Sequence, residues 1–364
     1  MFTSIIKNDS LAIIKSLGKK VDKIKGKTIL VTGSNGFLCS YIVDIIAQLN
    51  IKLLKKDQCK VLALDNNKTG PSERLIHLKD RKDIKFIYHD VSVPYKSKEK
   101  IDYIIHGASI ASPITYRKYP LETIDANVNG TRNMLELSKK HRVKKILIMS
   151  TSEIYGDPTS NNIPTDEGYN GNVAYDGPRS CYDESKRLAE TLCYVYREKY
   201  KVPAHTIRPF NVFGPGQKLD DRRIIPDLMT AIIKNKPIIL FSNGKATRSF
   251  CYISDAILAI LLILLGRKTK FQGFNVGNDE IEISINDLVK SMIKVGSKVL
   301  HGNKYKVLYR NSKDLKYNTD NPMRRSPNLN RTRSLFFWKP EVMLQEALER
   351  TLVSHLEMLS NKVK

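Results

Sequence analysis

The chain has 364 residues, 41% of them hydrophobic and 27% charged, which is ordinary for a globular protein of one large domain or two modest ones. Its formal net charge of +24 would suit a nucleic-acid or membrane partner, but the lysines are scattered and no aromatic residues interleave with them, so we expect no nucleic-acid binding. The five cysteines form no C-x-x-C pair, which argues against a structural zinc site or a disulfide framework and for a cytoplasmic protein.

Residues 1–26 form a basic, loosely amphipathic leader. We expect a helix packed on its own subunit or on a partner subunit, because Ile and Leu dominate its apolar positions, whereas membrane-surface helices favour Trp and Phe. A second apolar segment, Ala256–Leu265, has only ten residues, half of the roughly 20 that a membrane span requires. It therefore predicts a buried helix, and we expect no stable membrane insertion.

Between the leader and about residue 210, short apolar runs alternate with segments of helical periodicity. The runs K-T-I-L-V-T-G, C-K-V-L-A-L-D, I-K-F-I-Y-H-D, I-D-Y-I-I-H-G-A-S and K-K-I-L-I-M-S-T-S are typical of buried strands, and Leu121–His141 is typical of a helix between them. The alternation predicts an α/β fold, with a Rossmann-like doubly wound parallel sheet over residues 27–210. The carboxyl ends of its strands share one edge, where ligands bind.

After residue 210, Pro and Gly punctuate shorter elements, for example in F-N-V-F-G-P-G-Q. We therefore predict a smaller, mostly substrate-binding domain over residues 211–364, with some exchange of chain between the two domains. This domain is expected to lie over the same edge of the sheet. The amphipathic stretch Leu344–Met358 predicts a last helix.

The segment T-G-S-N-G-F-L-C, residues 32–39, follows the first predicted strand and opens the first helix of the sheet. Its glycines let the backbone turn tightly toward a pyrophosphate, and the N–H groups of the helix N-terminus attract that anion. The second strand ends at Asp65, whose carboxylate can accept hydrogen bonds from ribose hydroxyls and would repel a 2′-phosphate, so NAD is favoured over NADP. The expected cofactor-binding residues are Gly33, Asn35, Gly36, Phe37, Leu38, Asp65, Asn66, Asp90, Val91 and Ala108, together with Tyr182 and Lys186.

A second constellation follows the fifth predicted strand, which ends at Thr151. Tyr182 and Lys186 are four residues apart, so they share one face of a helix. The ordinary pKa of Tyr is ~10, and we expect the Lys186 ammonium and the positive nicotinamide to favour the phenolate. With Thr151 as hydrogen-bond partner, the three residues could take the proton from an alcohol while NAD takes the hydride.

These motifs together resemble the extended short-chain dehydrogenases/reductases of the NAD-dependent epimerase/dehydratase family, and among them the UDP-glucuronate decarboxylases (UDP-xylose synthases). The similarity runs from about Lys27 to the last helix. The segments that carry it are H-G-A-S-I-A-S-P (106–113), S-T-S-E-I-Y-G-D-P (150–158), G-P-R-S-C-Y-D-E-S-K-R (177–187) and D-N-P-M-R-R-S-P (320–327).

The resemblance implies a role for each matching residue. Thr151, Tyr182 and Lys186 would oxidise the sugar at C4, while Glu153 and Arg325 would act around C5 and the departing carboxylate. The substrate would be a nucleotide-sugar, UDP-glucuronate, and the product either UDP-xylose or the UDP-4-keto-pentose. The family also implies a homodimer formed through a four-helix bundle. The implied substrate-binding residues are Ser112, Tyr116, Ser152, Arg179, Asn211 and Arg248.

Two other functions stay open. A nucleotide-hexose 4,6-dehydratase or C4 epimerase has the same fold, but the dehydratases usually carry an Asp where Ser152 stands, and the epimerases usually lack both the Glu of this motif and the Pro-Arg before Tyr182. A non-enzymatic RNA-binding protein on this fold is the more remote alternative, and it has no need of the complete Thr151, Tyr182 and Lys186 set.

Three positions depart from the pattern of the decarboxylases. Cys39 stands where the third glycine of the loop usually lies, Gly107 replaces a common Leu, and Ser326 replaces a common Lys. These departures leave open a different sugar, or a reaction that stops at the 4-keto pentose.

Overall fold

The computed structural model describes residues 2–69, 73–302, 304–312, 319 and 322–363. Asp320 and Asn321, the first residues of the last motif above, lie outside the described residues. The strands are, in chain order, β1 (Thr28–Thr32), β2 (Lys60–Asp65), β3 (Ile84–Tyr88), β4 (Tyr103–His106), β5 (Lys145–Met149), β6 (Ala204–Pro209), β7 (Val212–Phe213), β8 (Ile238–Leu240), β9 (Thr247–Ser249), β10 (Cys251–Tyr252), β11 (Gly273–Val276), β12 (Glu282–Ser284), β13 (Val307–Tyr309) and β14 (Arg324–Arg325).

The helices frame these strands, and short 3-10 turns occupy Gly18–Ile24, Glu73–Leu78, Ser152–Tyr155 and Ser160–Asn162. The expected helix over Leu121–His141 begins one residue earlier, at a proline that suits a first helical position. The α-helices are α1 (Ser4–Leu17), α2 (Phe37–Lys52), α3 (Pro113–Lys118), α4 (Pro120–His141), α5 (Ser180–Tyr200), α6 (Ile224–Ile233), α7 (Ile253–Leu265), α8 (Ile285–Val299), α9 (Asn330–Phe336) and α10 (Leu344–Val363).

Seven strands form one parallel sheet in the order β11-β6-β5-β4-β1-β2-β3. The chain steps outward from β1 to β3 and then returns to β4 on the other side of β1, so the strand order reverses between β1 and β4. At such a reversal the crossing loops diverge and leave a crevice at the carboxyl edge of the sheet. The predicted doubly wound parallel sheet is thereby confirmed.

Helices cover both faces of the sheet because the strands are apolar on both sides. Ile29 and Val31 of β1 belong to the cluster that contains α2 and α7, whereas Leu30 between them packs with residues of α4 and α5. Successive side chains of a strand point to opposite faces, so α2 and α7 cover one face and α4 and α5 the other. The apolar run expected as a buried helix forms most of α7, which is buried along its length.

The leader helix α1 packs on its own chain, against α2, α7 and α10. This is the first of the two arrangements expected from the sequence, packing on its own subunit or on a partner subunit. Its buried Asp9 accepts hydrogen bonds from the hydroxyls of Tyr41 (3.0 Å) and Tyr252 (2.7 Å) and pairs with Arg350 (3.1 Å). Burial raises the pKa of Asp9, and these three partners oppose the rise. No helix among the described residues combines the length and the apolar character that crossing a membrane demands.

Past β6 the chain forms three small sheets within the described residues, β10-β7, β12-β9-β14 and β13-β8. Strand β11 lies after residue 210, yet it pairs with β6 at the edge of the main sheet. The division into domains at residue 210 stays a prediction. What matters for the site is that β9 and β14 bring two arginines, Arg248 and Arg325, into register with each other.

Candidate active site

A cleft of about 1000 Å³ opens at the carboxyl edge of the main sheet. Residues of both halves of the chain line it, from the glycine loop of residues 32–39 to β14. Of the predicted site residues, those that line the cleft are Gly33, Gly36, Phe37, Leu38, Tyr116, Thr151, Ser152, Glu153, Arg179, Tyr182, Lys186, Asn211, Arg248 and Arg325.

The glycine loop has the geometry that close approach to a phosphate requires. Gly33 has φ of +66°, and a Cβ there would lie 2.7 Å from the backbone nitrogen of Ala108, so no side chain fits. Gly36 caps α2, and its N–H donates to the carbonyl of Gly33 at 2.9 Å. The loop is therefore narrow, and the N-terminus of α2 follows it directly.

Asp65 lies at the end of β2 and is tied to the loop, since its Oδ2 accepts the backbone N–H of Asn35 at 2.9 Å. Asn66 donates from its side chain to Asp90 at 2.9 Å, so the ends of β2 and β3 are joined as well. Three predicted ligand residues have other contacts. Ala108 donates its N–H to Thr32 Oγ1 at 3.2 Å, Val91 packs against Gly130 of α4, and Ser112 donates from its hydroxyl to the carbonyl of Asp221 at 3.0 Å.

Tyr182 and Lys186 lie on one buried face of α5, as their spacing predicted. Lys186 Nζ donates to the carbonyl of Met149 at 2.7 Å and stands 5.8 Å from the centre of the Tyr182 ring, and Thr151 hydrogen-bonds the Tyr182 hydroxyl. Burial lowers the pKa of Lys186 to about 8. Burial also raises the pKa of Tyr182, and the opposing effects of Thr151 and of Arg223 are smaller. Without a cofactor the protein groups therefore do not favour the phenolate, because desolvation and the charges of Glu153 and Asp183 outweigh the opposing effects. The expected action of Lys186 together with a positive nicotinamide stays a prediction.

Tyr116 stacks flat on Tyr182, with ring centres 5.0 Å apart and planes inclined by 8°. This contact restrains the Tyr182 ring from the side of α3. The buried hydroxyls of Tyr116, Ser109 and Ser150 have no hydrogen-bond partner among the described residues, and all three residues line the cleft. Buried polar groups are almost always hydrogen-bonded in proteins, so these hydroxyls fit a bound polar ligand.

Glu153 is held by two arginines. Arg325 donates two hydrogen bonds to its carboxylate, one of them from Nη2 to Oε2 at 2.7 Å, and Arg179 donates a further one to Oε2. Burial alone raises the pKa of Glu153, but the charges of Arg325 and Arg179 outweigh it and lower the pKa to about 2. Glu153 is therefore a carboxylate at neutral pH, and it can accept a proton or repel an anion but cannot donate one.

Sequence reasoning missed Asp183, which follows Tyr182 directly and is only 5% exposed. Its Oδ2 lies 3.5 Å from Arg179 Nε, so the guanidinium of Arg179 stands between two carboxylates. Burial and the charge of Glu153 raise the pKa of Asp183 to about 7. The four-residue spacing of Arg179 and Asp183 is the signal in the sequence that could have found this pair.

Arg248 and Asn211 line the part of the cleft that β9 and the small sheets form. Arg248 donates to the carbonyls of Thr247 (2.7 Å) and Pro322 (2.6 Å), and burial together with the charge of Arg325 lowers the pKa of Arg248 to about 10. Asn211 has φ of +40° and donates from its side chain to the carbonyl of Ser249 at 3.0 Å. Both side chains are thus fixed by backbone carbonyls at the mouth of a strongly cationic pocket.

Comparisons with known proteins agree with this geometry. A model of the NAD-dependent epimerase/dehydratase family matches residues 29–277. UDP-glucuronic acid decarboxylase 6 of Arabidopsis thaliana is 34% identical over 322 residues, which cover 88% of this chain and 86% of that protein.

Two solved structures share the fold. The UDP-glucose 4-epimerase of Thermotoga maritima, solved with UDP-glucose, has a TM-score of 0.76 at 22% identity and covers 91% of this chain and 99% of its own. The UDP-glucuronic acid 4-epimerase of Bacillus cereus, solved with UDP-glucuronic acid and NAD, has a TM-score of 0.71 at 24% identity. The match covers 91% of this chain and 99% of that protein. At this level of identity the similarity shows the fold and leaves the reaction to the residues of the cleft.

Proposed function

The chain belongs to the NAD-dependent epimerase/dehydratase family, and we propose that within it the protein catalyses the oxidative decarboxylation of UDP-glucuronate. The observation that carries this proposal is the pair of buried arginines, Arg179 and Arg325, on the carboxylate of Glu153 next to Tyr182. Both guanidinium groups pair with Glu153, but the buried Nε of Arg325 has no hydrogen-bond partner among the described residues. It is therefore a donor for the carboxylate that a uronic acid presents two carbons from C4. Arg–carboxylate pairs are strong and directional, so the arginines can hold that group in place.

The cleft fits NAD. The narrow glycine loop, the N-terminus of α2 and the carboxylate of Asp65 match a pyrophosphate and a ribose without a 2′-phosphate. The hydroxyls of Ser109 and Ser150, which have no partner among the described residues, are available to hydrogen-bond the cofactor at the carboxyl edge of the sheet. NAD, when bound, would supply the hydride acceptor for C4 and a positive charge near Tyr182 in addition to that of Lys186.

We propose the following roles for the residues of this chain. Tyr182, positioned by Thr151 and by the stacked ring of Tyr116, takes the proton of the C4 hydroxyl as the C4 hydride departs. The resulting ketone is β to the carboxylate, so the C5–C6 bond breaks with its electron pair moving to the C4 oxygen. Thr151 and the now protonated Tyr182 hydrogen-bond that enolate oxygen.

Arg179 and Arg325 orient the C6 carboxylate until CO2 leaves. The negative charge of Glu153 repels the carboxylate beside C5 and so favours its loss as neutral CO2. C5 then takes a proton from a water molecule on the Arg325 side of the sugar, and bulk solvent neutralises the hydroxide that is left. Arg248 and Asn211 bind the nucleotide diphosphate. Return of the hydride gives UDP-xylose, and release before that step gives the UDP-4-keto-pentose.

The rival 4,6-dehydratase reaction requires an acid that protonates the leaving hydroxyl at C6. Ser152, the residue at that position, is buried and is a far weaker acid than a carboxylic acid, and the adjacent Glu153 is held ionised by its arginines. Both observations favour decarboxylation over dehydration.

We also propose a homodimer formed through α4 and α5, which pack side by side on one face of the sheet. Their outer surface exposes large apolar side chains, among them Leu121, Leu188 and Tyr194, and Tyr194 is 60% exposed. Large apolar side chains exposed on two helices that pack together support a subunit interface there. A mass near 83 kDa in light scattering, about twice the 41.5 kDa of one chain, is expected, and a Leu188→Glu variant at the mass of one chain would support this interface.

The test of the reaction is direct. The purified protein is incubated with NAD and with UDP-glucuronate, UDP-glucose or UDP-galactose, and the product masses are measured. Loss of CO2 from UDP-glucuronate is expected, with no change in the neutral hexoses. Loss of water from a neutral hexose would overturn the proposal in favour of a dehydratase. Interconversion of the two hexoses, which have the same mass and are distinguished by proton NMR of the products, would overturn it in favour of an epimerase.

A further inference from the structure

Two of the three departures noted in the sequence are in contact with each other. Cys39 is the third residue of α2 and is 3% exposed, and Gly107 follows β4 at the sheet edge. A Cβ on Gly107 would overlap the Sγ of Cys39. The next nearest atoms are the carbonyl oxygen of Thr32 at 3.3 Å, a tight contact that a shift of a few tenths of an ångström would relieve, and Cγ of Met149 at 3.6 Å, an ordinary contact. The thiol of Cys39 is therefore what excludes a side chain at position 107.

The pair lies between the glycine loop and the catalytic lysine. Gly107 and Ala108 donate their N–H groups to the carbonyl and the hydroxyl of Thr32, at 3.1 Å and 3.2 Å, so this segment follows the position of the loop closely. On the other side, Met149 contacts the same space and its carbonyl holds Lys186 Nζ at 2.7 Å. Both Cys39 and Gly107 line the cleft.

The thiol of Cys39 is suited to fill the space beside Gly107. Burial raises the pKa of Cys39 to about 12, so the sulfur stays uncharged and places no negative charge beside a pyrophosphate. A neutral thiol behaves as a small apolar group in packing.

We propose that Cys39 and Gly107 are a matched pair of positioning residues for the cofactor, in which the side-chain volume absent at position 107 is supplied from position 39. The pair sets the distance between the glycine loop and Lys186. A larger residue at position 107 pushes the Cys39 side chain toward the loop or toward Met149, and both movements disturb the place of the nicotinamide relative to Tyr182. This inference rests on membership of the NAD-dependent family and is independent of which sugar the enzyme uses.

The test is a double-mutant cycle with Cys39→Ala, Gly107→Ala and the double variant, with the Kd of NAD and the Kd of UDP measured by calorimetry on folded protein. Gly107→Ala is expected to raise the Kd of NAD by about tenfold, the scale of an overpacked buried site. Cys39→Ala alone is expected to change it by less than about threefold, because it removes one buried atom. The double variant is expected to return to within about threefold of the unmodified protein, and the Kd of UDP to stay constant throughout.

Gly33→Ala is the matched control, since its Cβ would meet the backbone of Ala108 and not a side chain. Cys39→Ala is expected to leave the defect of Gly33→Ala unrepaired. A double variant as weak in NAD binding as Gly107→Ala would overturn the pairing, and a parallel loss of UDP affinity would overturn the specific role toward the cofactor. If Gly107→Ala does not fold, the double variant decides: a folded, NAD-binding double variant supports the pair, and an unfolded one contradicts it.

Discussion

On the cofactor side of the cleft the shape comes from glycines and backbone hydrogen bonds, whereas on the sugar side it comes from buried charges. Gly33 and Gly107 leave no room for side chains next to the loop. Across the cleft, Glu153 is surrounded by Arg179 and Arg325, and each charge there is stabilised by another. On the first side an added side chain is expected to be disruptive, and on the second side an unpaired charge. Burying an unpaired charge costs several kcal/mol, while an added methyl group costs roughly 1–3 kcal/mol.

The sharpest test of the sugar side is Tyr182→Phe, which keeps the stacked ring on Tyr116 but removes the base. We expect kcat for CO2 release to fall by roughly 10³-fold while the Kd of NAD changes little. Tyr175→Phe, a change at an exposed side chain outside the lining of the cleft, is the control and should retain full activity. Turnover by Tyr182→Phe within tenfold of the unmodified enzyme would remove Tyr182 from the reaction.

Arg325→Ala is expected to have the next largest effect, because it leaves Glu153 with one cation instead of two. We expect C4 oxidation to continue, visible as NADH absorbance, while CO2 release slows by about 100-fold. Arg324→Ala is the matched control, since Arg324 precedes Arg325 on β14 but pairs with Glu282 outside the cleft. If Arg325→Ala released CO2 at the normal rate, the assignment of that residue would be wrong.

Asp65→Asn tests the cofactor side with a change that alters charge and not volume. We expect the Kd of NAD to rise by about tenfold, since a hydrogen-bonded carboxylate is replaced by a weaker acceptor, and the preference for NAD over NADP to shrink. Calorimetry with both cofactors measures the two quantities. A Kd for NAD that stays constant would show that Asp65 serves the loop alone, through its bond to Asn35.

Asp183→Asn is expected to have the smallest effect, and that effect depends on pH. The raised pKa of Asp183, about 7, means that the folded protein holds a proton which the unfolded chain has released, so Asp183 lowers stability as pH rises through 7. Asn cannot ionise, so the Tm of the variant relative to that of the unmodified protein should increase between pH 5 and pH 8. The expected increase is about 2–4 °C for each kcal/mol of unfolding free energy that the unmodified protein loses over this range. Scanning calorimetry at both values checks this, and a difference that shrinks with pH would contradict the sign.

The sequence predicted best what depends on local pattern. The strand runs, the buried helix α7 and the helix that ends at His141 are visible in the periodicity of side chains, and the parallel sheet with helices on both faces follows from the alternation. The Tyr182–Lys186 face follows from helical spacing. The resemblance to a known family also named Glu153 and Arg325, but it did not show that the two are bonded to each other.

What the sequence could not give depends on contacts between distant segments. Glu153 and Arg325 are 172 residues apart, and their bidentate pairing needs β14 to lie beside β9. The overlap of Cys39 with the space at Gly107 follows from the approach of α2 to the end of β4, so two separate departures became one feature only in three dimensions. The burial that raises the pKa of Tyr182 in the absence of a cofactor also depends on such distant contacts and cannot be derived from the spacing of residues.

The packing of α1 has a consequence for synthesis on the ribosome. Thr3 hydrogen-bonds Ser354 at 2.7 Å across 351 residues of sequence, and Asp9 needs Tyr252 and Arg350 as partners. Helix α1 is synthesised first, but its polar groups find their hydrogen-bond partners only after nearly the whole chain has emerged. Contacts of such long range slow folding and prolong the exposure of apolar surface, so the nascent chain depends most on chaperones while α1 is still unpaired.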